Sequence, residues 1–103
     1  MMESQAAKRR SKADYADLLF AVNDILRLRD PVGLIEMGAP ADEYAPEAES
    51  IVARMREMAS EDDVWRIVTE EFVRWFGADT WVSAEALQLA SGDVWTCIWR
   101  LEA

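Results

Sequence analysis

Apolar positions in the first third of the chain recur at spacings of three and four. Tyr15, Leu18, Leu19, Val22, Ile25 and Leu26 fall within an arc of about 120° when wound on a helix, one core-facing stripe. The pattern predicts a first helix from Lys12 to Arg29. Asp30-Pro31 ends it, because a residue before proline is biased out of the helical region. Phe20 and Leu28 lie off the stripe and must be covered by another element or left exposed.

Pro31–Ala45 reads as a loop punctuated by Gly33, Gly38 and Pro40. Its apolar residues Val32, Leu34, Ile35, Met37 and Tyr44 predict that it is ordered and packs down. A second helix is expected from Pro46, which suits a first turn, with Glu47 and Glu49 near the positive end of the dipole. Ala48, Ile51, Val52, Met55, Met58 and Ala59 would form its stripe. Ser60 reads as an N-cap, followed by Glu61, Asp62 and Asp63 in the first turn of a third helix. That helix should run from Glu61 to Phe76 and stop at Gly77. Its apolar residues Val64, Trp65, Ile67, Val68, Phe72, Val73, Trp75 and Phe76 span about 240°. So wide an arc needs more than one neighbour and predicts a central helix.

The C-terminal segment admits two readings. Val94–Leu101 has the length and aromatic content of a strand bounded by Ser91-Gly92. Wound as a helix from Ser83, however, Leu87, Ala90, Val94, Cys97, Ile98 and Leu101 fall within about 100°. Trp95 and Trp99 then flank that stripe one turn apart. A lone strand has nothing to pair with, so a fourth helix, bent at Gly92, is the expectation. The fold class is therefore all-α: a compact bundle of about four helices with an ordered loop between helices 1 and 2. Residues 1–11 are expected to be a basic, flexible N-terminus, and residues 12–103 a single helical domain.

Composition narrows the function. The 103 residues carry a formal charge of −9 and no histidine. Direct nucleic-acid binding is disfavoured, because it needs clustered Lys and Arg to replace counterions. The acids concentrate in residues 30–63, where ten of them face only Arg54 and Arg56, a net of −8. Such a field can steer a basic partner, or it can be a solvated face. Cys97, the only cysteine, cannot form an internal disulfide and suits a reducing cytoplasm. No apolar run has membrane-spanning length, and the N-terminus has no hydrophobic signal core. A cytoplasmic protein with no membrane partner is expected.

Catalytic chemistry finds little to use. Without histidine the commonest general base and metal ligand are missing. Cys97 lies in an apolar stripe, where an inert buried thiol is expected. Glu61-Asp62-Asp63 and Glu70-Glu71 are carboxylate-rich but lack the alternating oxygens and central glycine of a calcium loop. No catalytic residue, metal site or cofactor is assigned.

One stretch has a recognisable pattern. Asp30-Pro31-Val32-Gly33-Leu34-Ile35, followed by Gly38-Ala39-Pro40-Ala41-Asp42-Glu43-Tyr44 and a helix, resembles a family of small helical bacterial proteins of unknown function. The family shares an Asp-Pro-x-Gly turn and an Asp-Glu-Tyr motif before an amphipathic helix. Arg74-Trp75-Phe76-Gly77 and the late tryptophans fit the same pattern, while Arg29 stands where members often carry Trp. Some relatives resemble immunity proteins, which neutralise a toxin by binding it.

The same motif has a purely physical reading. Asp30 and Asp42 can accept hydrogen bonds from nearby backbone N–H groups, and Tyr44 can bury its ring with its hydroxyl at the edge. The expected function is an acidic protein-binding module, an immunity or inhibitor protein that masks a basic partner such as a toxin or nuclease. Glu36, Asp42, Glu43, Tyr44 and Glu47 are the candidate contacts, and Trp95 and Trp99 an alternative interface. The competing expectation is a carboxylate-based bundle that binds a small ligand or metal, or an enzyme.

Overall fold

A computed structural model describes the backbone of residues 5–102 and the side chains of residues 15–100. It contains four α-helices: α1 Gln5–Arg29, α2 Ala45–Val52, α3 Glu61–Phe76 and α4 Ala84–Glu102. A single 3₁₀ turn, Met55–Glu57, lies between α2 and α3. No strand occurs among the described residues. The helices pack in a ring in which α1 meets α2 and α4, and α3 meets α2 and α4. Arg29 pairs with Asp93, and Asp17, Leu18 and Ala21 share a cleft with Cys97 and Arg100. Alpha-1 and α4 are therefore antiparallel.

The stripes converge on one core. Leu18, Val22, Ile25 and Leu26 of α1 meet Ala48, Ile51 and Val52 of α2 and Val64, Ile67, Val68 and Phe72 of α3. Leu87, Ala90, Val94 and Ile98 of α4 complete it. Phe72 is buried at the centre, its ring 6.0 Å from that of Tyr44 and 5.6 Å from that of Phe76. The helical reading of the C-terminus holds: α4 continues through Ser91 and Gly92. Ser83 caps it by accepting the Ala86 N–H, and Ser91 donates to the Leu87 carbonyl one turn back.

Several expectations need correction. Alpha-1 begins at Gln5 rather than Lys12; of the expected loose N-terminus, residues 1–4 lie outside the described residues. Tyr15 is largely exposed. Phe20 and Leu28, off the stripe, are exposed.

Helix 2 is shorter than its apolar pattern. It ends at Val52, and Ala59 lies on the surface, although Met58 is buried and Met55 packs against the core. Beyond Val52 the chain tightens into the 3₁₀ turn, with Arg54 paired to Glu57, Glu70 and Glu71.

Alpha-3 has the expected bounds and caps. Ser60 Oγ accepts the Asp63 N–H, Asp63 Oδ2 accepts the Ala59 N–H, and Gly77 ends the helix at φ 83°. It is one member of the ring rather than its centre. Its wide apolar arc is only partly used: Val73 and Trp75 remain half-exposed, with Trp75 Nε1 donating to Ser50 Oγ at 2.9 Å.

Candidate partner-binding surface

The loop from Asp30 to Tyr44 is built around one carboxylate. Asp30 has a φ of 48°, in the left-handed region that short polar side chains tolerate best. That turn aims its carboxylate across the loop. Oδ1 accepts the Ile35 N–H at 3.0 Å and the Tyr44 hydroxyl at 2.7 Å, and Oδ2 accepts the Glu36 N–H at 3.0 Å. The Tyr44 oxygen in turn accepts the Val32 N–H at 3.1 Å. Gly33 and Gly38 supply the positive φ values that let the chain double back. Pro31 is fully buried, and its carbonyl accepts the Ser83 N–H, tying the loop to the start of α4.

The electrostatics follow from this network. Burial opposes the Asp30 charge, but the N–H groups of Ile35 and Glu36 and the Tyr44 hydroxyl outweigh it and hold the carboxyl below its ordinary range. Burial and the neighbouring Asp30 push the Tyr44 phenol up to about 12. Tyr44 is 0% exposed, so it is the pin of the loop and not a contact residue.

The other candidates divide in the same way. Glu36, Asp42 and Glu43 stand exposed on the loop. The Asp42 carboxylate accepts no hydrogen bond among the described residues, so its expected turn-fixing role is taken by Asp30 alone. Glu47 is only 5% exposed and its Oε2 has no hydrogen-bond partner among the described residues. Burial, aided by Glu43, raises its pKa. Glu47 thus belongs to the interior of the α2 start, not to the surface. Trp95 and Trp99 do meet, edge to face with ring centres 5.9 Å apart. Trp95 is half-buried against the core, and Trp99 is 59% exposed.

Arg54 gathers much of the remaining acid. Its guanidinium reaches Glu57 at 2.9 Å, Glu70 at 2.9 Å and the buried Glu71 at 3.0 Å. Its pKa rises accordingly, chiefly through the Glu57 hydrogen bond. This hub was not anticipated; the i,i+3 spacing of Arg54 and Glu57 was its one visible signal. By contrast, Glu36, Asp42, Glu43, Glu49, Glu61 and Asp62 are exposed and make no ion pair among the described residues.

Among the described residues, no three Asp, Glu or Cys side chains come together in a way that could hold a metal ion. Cys97 is half-buried, and burial raises its thiol pKa. No described helix is long and apolar enough to cross a membrane. The chain matches no known family model, no curated protein and no solved structure.

Proposed function

We propose that this chain is a protein-binding module that offers an acidic surface to a basic partner and acts by covering it. The observation that carries this reading is the pairing of a clamped loop with unpaired charge. Asp30 and Tyr44 fasten the loop at both ends, while Glu36, Asp42 and Glu43 stand free on it. A loop already ordered before binding loses little entropy on association. Unpaired carboxylates accelerate encounter with a cationic surface without chemistry of their own.

The test is affinity capture from the source cells with the wild-type chain and with the Asp42→Lys/Glu43→Lys double variant. A basic protein retained in stoichiometric amount by the wild type, released by salt and not retained by the variant is the expected result. Equal retention by both would remove the loop from the account.

A further inference from the structure

A groove runs between α1 and α2, beside the clamped loop. Its walls are Ala16, Leu19, Phe20 and Asn23 of α1, at the i, i+3, i+4, i+7 spacing of one helical face, and Ala45 and Glu49 of α2. Its volume is about 280 Å³. That is just below the roughly 300–1,000 Å³ of pockets that take a drug-sized ligand, and suits one long side chain. Three features lack a partner. Phe20 is 76% exposed despite its size. Glu49 is exposed and unpaired among the described residues. Asn23 Oδ1, enclosed beside the groove, accepts no hydrogen bond among the described residues. The described lining contains acceptors and an aromatic face, but no cation.

We infer that this groove is the seat of an arginine side chain from the partner. The inference rests on the acidic-module reading and adds to it the chemistry of the anchor. An arginine carries apolar methylenes for Ala16, Leu19 and Ala45. Its planar guanidinium can stack on the Phe20 ring and present a pair of N–H donors to the Glu49 carboxylate. Lysine offers a compact, strongly hydrated ammonium that stacks less well and cannot make the forked contact. A second copy of this chain is disfavoured as occupant, because each copy carries a net charge of −9. Asp42 and Glu43 immediately precede Tyr44 and Ala45, so the chain leads from the loop carboxylates directly to the groove wall.

The probe is the blocked tripeptide acetyl-Gly-Arg-Gly-amide, titrated into the full chain at low salt and followed by amide chemical shifts. Its lysine and citrulline counterparts serve as comparisons. The expected result is weak saturable binding, with shifts centred on Ala16, Leu19, Phe20, Asn23, Ala45 and Glu49. The lysine peptide should bind less tightly, and the neutral citrulline peptide should not bind measurably. Glu49→Gln should weaken binding about threefold, the scale of an exposed ion pair, and Phe20→Ala by a similar factor. Both side chains are exposed, so neither change should alter the circular dichroism spectrum; the citrulline comparison needs no variant at all. Shifts confined to Glu36, Asp42 and Glu43, equal binding of citrulline, or absence of any shift would each overturn the groove assignment. The two readings fail separately. A captured partner that depends on Asp42 and Glu43 but ignores Glu49→Gln and Phe20→Ala keeps the acidic module and discards the arginine seat. Loss of any basic partner removes the module reading itself.

Discussion

The Tyr44 hydroxyl donates to Asp30 Oδ1 over 2.7 Å, joining residues 14 apart in the chain and closing the loop that carries the exposed acids. Tyr44→Phe removes that donor and also strands the Val32 N–H. It should cost about 1–3 kcal/mol, the range for an unsatisfied buried polar group. Asp30→Ala deletes all three accepted bonds and should cost more. The Asp30 carboxyl is depressed in the folded state. Its stabilising contribution is therefore fully present above the unfolded value of about 3.9. It is lost as pH falls through the lower folded value. Urea titrations between neutral and acid pH check both points: the Asp30→Ala chain should start less stable and lose less on acidification.

Glu47 predicts the opposite sign. Burial raises its pKa, so the folded chain holds that proton more tightly than the unfolded one. Stability is reduced at neutral pH and rises as pH falls through the raised folded value toward the unfolded value of about 4.3. Glu47→Gln should raise the denaturation midpoint at neutral pH and abolish that gain on mild acidification. A lower midpoint at neutral pH would mean that the charged carboxylate is satisfied where it sits.

Arg54 and Glu71 form the bridge between the α2–α3 connection and the interior, with Glu71 only 3% exposed. Breaking a fully buried pair by removing one partner costs about 3–5 kcal/mol. Arg54 keeps 24% of its side-chain exposure, which admits water and reduces the expected loss for Arg54→Met to about 2 kcal/mol. Glu71→Gln in the same background should recover part of it. Chemical denaturation of the two single variants and the double variant measures this coupling directly.

Gly92 lies inside α4 with an ordinary backbone conformation, and an added methyl would meet only the flexible Glu61 Oε2 at 3.6 Å. Gly92→Ala should therefore stabilise the chain by about 0.5–1 kcal/mol through helix propensity and unfolded-state entropy. At 3.6 Å that contact is an ordinary van der Waals one, so a loss of stability would contradict the expectation.

The helices and the interior were largely legible in the sequence because each stripe repeats at the helical period and each end carries its own chemistry. Ser60, Gly77 and Asp30-Pro31 mark boundaries that the fold respects. The backbone-binding role of Asp30 was legible as a short carboxylate beside proline; that of Tyr44 was not, because its hydroxyl was expected at the surface among the contacts, whereas it is buried and donates to Asp30.

What could not be read is long-range. The apolar pattern from Ala48 to Ala59 looks continuous, yet the helix stops at Val52 and Arg54 just beyond it pairs with Glu70 and Glu71 of α3, contacts between distant segments that no local pattern shows. Glu47 resembled a surface dipole partner, because nothing local to it shows that the bundle closes over it. The α1–α2 groove combines residues that each look unremarkable, and their union exists only once the two helices pack.

The central claim is that the clamped loop presents charge for association rather than for stability. The most direct measurement pairs two readouts on the Asp42→Lys/Glu43→Lys variant: the association rate with the captured partner across a range of salt, and the melting temperature of the free chain. Exposed carboxylates act through a field screened over about 8 Å at physiological ionic strength. The account predicts that wild-type association slows as salt rises, that the variant associates more slowly with a flatter salt dependence, and that its melting temperature stays close to wild type. An unfolded or strongly destabilised variant, or one whose association rate and salt dependence match the wild type, would contradict it.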